Sequence, residues 1–399
     1  MSILITGIPS IDKSIVRHSS RIDLSLSALQ NNVSFVRDKI GPDPIISAVV
    51  KSNAYGHGTK YFVSMLIKCG IKHFSVASSY EAQEVLKSCL PDCEIMIMGI
   101  LYSRDLEWVI YNNIQYYVFD LERIHQSVEA AKRVGKKAVI HLEIETGGNR
   151  TGLPIEQMQE ALDLIEANAE HIDFRGLCTH LAGAETLANH FRIRRQMIRY
   201  NEAYEMAQQR NVLPQLRHIA SSAAGLTIPE ARMDMVRVGI ALYGLWPSPD
   251  VYNMHLVEIN QVSDNPLHRV ISWKTDIMHL KDVNEGEFVG YGTSYQALRD
   301  MKVAVIPLGY ANGYSRSLSN KGFVLIHGKR ANICGLINMN LFMVDVTHIE
   351  GTAVGDEVVL IGNQDNTSIT ISSFSDFANQ LNNELMSRLP ADIPRQIVE

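Results

Sequence analysis

Lys51 is the residue of this chain best placed to do chemistry. It closes the apolar run IISAVV and opens KSNAYGHG, a turn-rich stretch that carries Tyr55 and ends at Gly58. The run reads as a buried parallel strand, so the amine falls at a strand's carboxyl end, where α/β folds collect their reactive groups. Burial disfavours the charged form of a lysine, lowers its pKa and makes it a nucleophile. Such lysines form Schiff bases with carbonyl compounds, the aldehyde of pyridoxal phosphate (PLP) among them. The plainer alternative is a strand-end lysine reaching solvent, the usual habit of the residue.

Further polar residues fall at equivalent places. Arg150 follows AVIHLEIE, His180 ends FRGLCTH, Ser222 ends LRHIASS, and Arg237, Gly239 and Ile240 belong to MVRVGIALYG. Ser222, with the backbone N–H groups near Gly239 and Ile240, suits a phosphate, which needs donors more than it needs lysines. Each residue also has an ordinary structural role open to it. His180 fits a satisfied core histidine, Gly239 a packing glycine, and Ser222 a helix N-cap before AAGLTIPE. Tyr291, between Gly290 and Gly292, also reads as a turn aromatic.

The elements that position these residues alternate. Strand-like runs IISAVVK, HFSVAS, EIMIMG, QYYVFD, AVIHLEIE, FRGLCTH, LRHIASS and MVRVGIALYG are mostly separated by helical stretches. Eight βα units predict a (β/α)8 TIM-type barrel over residues 15–253. A doubly wound sheet is the alternative, but no G-x-G-x-x-G follows the first strand. From residue 254 to 399 the runs RVISWKTDIMHL, EFVGYG, KVAVIPLG, GFVLIHG, RANICG, FMVDVT and EVVLIG come without helices and predict a mainly β domain. The helical segment ISSFSDFANQLNNELMSRL precedes a last strand, and residues 1–14 are expected to pack with this second domain.

Composition bounds the function. The 399 residues are 46% hydrophobic, enough for two cores, and the net charge of −6 argues against general nucleic-acid binding. The five cysteines form no CxxC pair; Cys89 and Cys93 lack the partner pair a metal site needs, so no metal is expected. Neither a signal peptide nor a bilayer-spanning run is apparent, which predicts a soluble cytoplasmic protein.

AVVKSNAYGHG closely resembles the PLP-attachment motif of bacterial alanine racemases. RIDLSLSALQNN, THLAGAE, SSAAG, MVRVGIALYGLWPS, VGYGTSY, IPLGYANGYSR and NMNLFMVDV follow that family's order from Arg21 to Arg395. The resemblance implies PLP on Lys51, a phosphate held by Tyr55, Ser222, Gly239 and Ile240, and Arg237 facing the pyridine nitrogen. It makes His180 the histidine that hydrogen-bonds and orients Arg237. Racemisation at Cα needs an acid and a base on opposite faces. The resemblance assigns these to Lys51 and to Tyr291 of the partner subunit, with Arg150 close by, in a head-to-tail homodimer with shared sites. Arg150, Met339, Tyr310 and Asn383 take substrate-side positions. The implied activity is interconversion of L- and D-alanine, supplying D-alanine for peptidoglycan.

Three positions depart from the family pattern. Glu143 stands where many members have a carbamylated lysine, with Glu145 on the same face of the strand as a rival partner for Arg150. The family's GMGR is Gly147, Gly148, Asn149, Arg150. Asn383 replaces a pocket tyrosine, which leaves a racemase of broader or different specificity, acting on serine for example, as the alternative. A non-catalytic PLP carrier would be a lone barrel. A PLP decarboxylase would usually have a catalytic cysteine, and the racemases' own cysteine position, just before Met339, holds Asn338.

Overall fold

The computed structural model describes residues 17–89, 92–260, 265–372 and 382–399. Residues 1–14, and residues 373–381 within the predicted helix ISSFSDFANQLNNELMSRL, lie outside the described residues. The chain divides into two compact units.

The larger unit spans Ser25–Val270, with the last three residues. Its strands are β2 (Ile45–Val49), β3 (His73–Ser78), β4 (Glu94–Ile100), β5 (Gln115–Val118), β6 (Ala138–Glu143), β7 (Ile172–Cys178), β8 (Leu216–His218) and β9 (Met235–Val238). They form one eight-stranded parallel sheet in the order β8-β7-β6-β5-β4-β3-β2-β9, the nearly closed barrel the alternation predicts. Helices such as Leu121–Val134 follow the strands. That helix is started by the Asp120 side chain, which accepts from the Arg123 N–H, and stopped by Gly135 at φ 71°. The barrel is not filled only with aliphatic side chains. Ser47, His73, Ser75, Gln115, His141, His218 and Arg237 are all buried strand residues. A polar interior of this kind must be hydrogen-bonded throughout.

The smaller unit joins Ser20–Leu24, the greater part of β1 (Ser20–Ser25), to Ile271–Gln396. β1 pairs antiparallel with β10 (Ile271–Asp276), Ser20 opposite Thr275 and Leu24 opposite Ile271. β11 (His279–Val283), β12 (Met301–Ile306) and β15 (Phe342–Asp345) make a second sheet in that order. β13 (Phe323–Ile326), β14 (Lys329–Asn332), β16 (Glu357–Gln364) and β17 (Thr367–Ile369) extend the first.

Three sequence expectations need correction. RVISWKTDIMHL is two strands in different sheets. The Ile277 N–H bonds to the Asp356 carbonyl and the Met278 N–H to the Val305 carbonyl, so the chain changes sheets there. EFVGYG forms no strand beyond a bridge from Phe288 to Gln296, because Gly290 and Gly292 adopt φ of 75° and 68°. The boundary at 253/254 falls inside the helix Pro249–Ile259, which belongs with the barrel unit to Val270, while Ser20–Leu24 belong to the β unit. His255 on that helix stacks on Trp246 and meets Phe35 edge-on at 5.4 Å, which holds the segment to the first helix, Leu26–Ile40.

Candidate active site

Lys51 follows β2 by two residues and is half-buried. The backbone immediately after it is strained. Ser52, Asn53, Ala54 and Tyr55 have φ of 53°, 54°, 51° and 49°, a full turn of left-handed helix in residues that are not glycine. Such a conformation costs about 1–2 kcal/mol per residue and persists only where the surroundings over-determine it. Glu81 does much of this: its carboxylate accepts the Ser52 N–H at 2.7 Å and the Ala77 N–H at 2.7 Å. Asn53 adds a clasp, its side-chain oxygen accepting the Thr59 N–H at 2.9 Å and its carbonyl the Gly58 N–H at 2.9 Å.

The strained turn aims Tyr55 back over the barrel mouth. Its ring packs on Tyr243 at 4.6 Å between centroids, and its hydroxyl lies 2.9 Å from where a Cβ on Gly239 would be. Only glycine admits that approach. Burial, reinforced by the Glu81 charge, pushes the Tyr55 phenol up to about 12, so it is a neutral donor at physiological pH. Gly239 donates its N–H to Ser222 Oγ at 2.8 Å. Tyr55, Ser222 and Gly239 thus converge, with Ile240 next in the chain, as a cradle of neutral groups in which the Gly239 N–H is given to Ser222 Oγ. Ser222 is the first residue of its short helix, and Ser221 holds the cap position.

Arg237 points into the barrel one layer below, opposite Ser47 in the register. It is buried, and its guanidinium is fully engaged on one side. Nη1 donates to His218 Nδ1 at 2.6 Å and to the His218 carbonyl at 3.0 Å; Nη2 donates to the Thr179 carbonyl at 2.9 Å. The histidine that orients Arg237 is therefore His218, and the expectation for His180 is corrected. His180 instead sits among cations: burial first, then Arg237, Arg150 and Lys51, hold it down to about 3. It is neutral, and the positive charge gathered around it suits an anionic ligand.

Arg150 is exposed on the loop after β6. Glu145 is spent on that loop, accepting the Gly147 N–H at 2.5 Å and the Asn149 N–H at 2.9 Å, so it is a clasp and not the partner of Arg150. Asn149 takes φ of 52°, a conformation asparagine tolerates where the family pattern has glycine. Glu143 is buried beside Thr151, and its Oε2 has no hydrogen-bond partner. Desolvation raises its pKa, against the lowering effects of Thr151, Arg237 and Arg150. It forms no ion pair with Arg150 among the described residues. Glu143, Arg150, Thr179 and His180 line a cavity of about 60 Å³.

In the β unit, Gly309 lets two loops meet. A Cβ there would fall 2.1 Å from the Asn338 carbonyl oxygen, and the Tyr310 and Ala311 N–H groups bond to the Asn338 and Met339 carbonyls. Tyr310 and Met339 are thereby held on one exposed surface. Tyr291 is 72% exposed, in the loop between Gly290 and Gly292. Asn383 is also exposed. Sequence reading missed Glu81, His218, His141 and Thr179. The available signal was a polar residue at an inward position of an otherwise apolar strand, as in VIHLE and LRHIA.

The larger unit is thus a parallel barrel with Lys51, Arg150, Arg237 and the Tyr55–Ser222–Gly239 cradle on or after its strands. Profiles for the N-terminal and C-terminal domains of alanine racemase match residues 24–247 and 270–397. The chain is 34% identical over 387 residues to the alanine racemase of Leptospira interrogans, covering 96% of each. The alanine racemase structure from D-cycloserine-producing Streptomyces lavendulae superposes with a TM-score of 0.86 at 29% identity, covering 96% of this chain and 98% of that one. An alanine racemase from Bartonella henselae with covalently bound pyridoxal phosphate superposes with a TM-score of 0.81 at 25% identity, covering 96% and 100%. The chain belongs to the alanine racemase family, an isomerase family. Among the described residues, no helix is long and apolar enough to cross a membrane, and no cluster of three potential metal ligands occurs.

Proposed function

We propose that this protein interconverts L- and D-alanine with PLP held on Lys51, using Lys51 and the partner subunit's Tyr291 as the two bases. The observation that carries the reading is the left-handed turn of residues 52–55, which opens directly after Lys51 and brings the Tyr55 hydroxyl against Gly239, whose N–H meets Ser222.

The residues present fit the cofactor. Tyr55, Ser222 and the Ile240 N–H would donate to a phosphate, with the Gly239 N–H turning to it from Ser222 Oγ, and the space beside the Tyr55 hydroxyl would be filled by a Cβ on Gly239. When bound, PLP withdraws electrons from the substrate Cα and so acidifies its hydrogen. Arg237 presents only N–H donors and cannot take a proton, so it holds a ring nitrogen as an acceptor. His180, kept neutral, adds no proton of its own. Lys51 Nζ removes or returns the Cα proton on one face, and the Tyr291 hydroxyl serves the other. Arg150 binds the substrate carboxylate, with the partner subunit's Met339 near it and the partner subunit's Tyr310 beside the pocket. The exposure of Tyr291, Tyr310 and Met339 supports a head-to-tail homodimer in which these residues are covered by a second copy. D-alanine made in the cytoplasm this way supplies peptidoglycan.

The test is direct. The purified protein should abolish the optical rotation of L-alanine without releasing carbon dioxide. Borohydride should fix the cofactor, and peptide mapping should place it on Lys51. Labelling at another lysine would overturn the mechanism.

A further inference from the structure

The hydrogen bond from Arg237 to His218 is the first step of a longer chain. His218 Nε2 lies 2.8 Å from His141 Nδ1, His141 Nε2 lies 2.7 Å from Gln115 Oε1, and Gln115 Nε2 lies 2.5 Å from Glu94 Oε2. The chain runs through the barrel from the lysine end to the amino ends of the strands, where Glu94 and His73 line an open cavity of about 700 Å³.

Its polarity is fixed from both ends. Arg237 can only donate, so His218 accepts at Nδ1 and must carry its proton on Nε2. His141 then accepts at Nδ1 and donates from Nε2 to the Gln115 carbonyl oxygen. The Gln115 amide nitrogen donates to Glu94, a carboxylate that can only accept. A side branch agrees: Ser75, Ser47 and His73 form contacts of 2.5 Å and 2.8 Å, and His73 Nε2 faces the same Gln115 oxygen at 3.4 Å. At the far end Arg175 reaches Glu94 Oε2 at 3.3 Å.

A second feature of the sequence serves this chain. A Cβ on Gly176, in the middle of β7, would lie 2.0 Å from His141 Nδ1. Glycine weakens a strand interior and often marks a close approach. Here it vacates the space that the imidazole occupies. Burial keeps His141 and His218 neutral, since both are held well below the usual histidine range, by desolvation first and neighbouring positive charge second.

We propose that His141, Gln115 and Glu94 are positioning residues for Arg237, acting through His218 along this one-way relay. The relay holds a lone pair on His218 Nδ1 toward the guanidinium at all times, which fixes the plane in which Arg237 meets its ligand. The inference rests on the reading of Arg237 as a cofactor-facing residue.

Gln115→Met removes both ends of the hub at similar volume and touches neither ligand nor Lys51. In the purified holoenzyme, long-range 15N–1H spectra should show His141 and His218 as Nε2–H tautomers, and Gln115→Met should shift both signals. Turnover should fall at least about tenfold with KM little changed, since misplacing a group by a fraction of an ångström weakens the transition state more than the ground state. Gly176→Ala, which displaces His141 by steric contact alone, should give the same signature. Tyr200→Phe, which deletes an unrelated buried hydroxyl bonded to the Leu177 carbonyl, should lower stability with turnover within about twofold of wild type. Should Gln115→Met fail to fold, Glu94→Ala at the open rim gives the tautomer readout instead. Unchanged His218 signals and turnover in these variants, or a wild-type Nδ1–H tautomer for His218, would overturn the proposal. Absence of PLP from the purified protein would defeat the functional reading and leave the tautomer measurement valid.

Discussion

Gly239→Ala tests the cradle quantitatively. The added methyl would lie 2.9 Å from the Tyr55 hydroxyl oxygen but 3.6 Å from Tyr55 Cζ and 3.6 Å from Val49 Cβ. The first distance demands movement; the other two are ordinary contacts. Tyr55 cannot yield freely, because its ring is packed on Tyr243 and its backbone sits in the left-handed turn. Overpacking of this kind costs about 1–3 kcal/mol. The clash belongs to one oxygen atom, so in a Tyr55→Phe background the same substitution should cost almost nothing. The two changes should therefore couple by about 1–2 kcal/mol. Urea unfolding of the wild type, both single variants and the double variant measures that coupling. Gly239→Ala should also weaken PLP binding about tenfold or more, since about 1.4 kcal/mol of lost contact is a factor of ten. Additivity within about 0.5 kcal/mol would refute the geometry, because the methyl would then be meeting something other than the hydroxyl.

Mixing inactive Lys51→Ala with inactive Tyr291→Phe should recover part of the activity through heterodimers with one intact site; no recovery despite proven subunit exchange would count against shared sites. Asn383→Tyr should lower the serine-to-alanine ratio of kcat/KM, by the modest 1–3 kcal/mol or so that added bulk provides; an unchanged ratio removes Asn383 from specificity. Glu143→Gln should cut turnover by removing a charge that Arg237 and Arg150 both feel without an ion pair, and bicarbonate should not stimulate the wild type; full activity in the glutamine variant would show that the carboxylate is not needed. The Glu143 carboxyl is raised by burial, so its contribution to stability is complete below the unfolded value of about 4.3 and is lost as pH rises through the higher folded value. Urea midpoints should accordingly move in favour of Glu143→Gln between about pH 4.5 and 8, and a shift toward wild type over that range would contradict the sign.

How much of this was legible in the sequence follows from the range of the interactions. All eight barrel strands were readable, because parallel strands buried on both faces are short apolar runs. Lys51, Ser222, Arg237 and Gly239 were placed at strand ends for the same reason. The β unit was less legible: a run of alternating residues does not say at which peptide it changes sheets, and only the bonds of Ile277 and Met278 decide that. The exchange of His180 for His218 shows the harder limit. Both histidines lie in strand-like runs, FRGLCTH and LRHIASS, and which one reaches Arg237 depends on register across strands distant in sequence.

The same limit explains why the interior polar residues went unread. Ser47, His73, Gln115 and His141 each look like isolated exceptions within apolar strands. Alone, each would cost several kcal/mol to bury without a partner. They are tolerable only together, since each donor finds an acceptor on a neighbouring strand. The polarity of the set is then dictated by its two ends, an arginine that cannot accept and a carboxylate that cannot donate. Inverting one member would require inverting all of them, which neither end permits. A barrel interior built this way trades apolar packing for a fixed proton arrangement beneath Arg237, and that is a property no single residue in the chain announces.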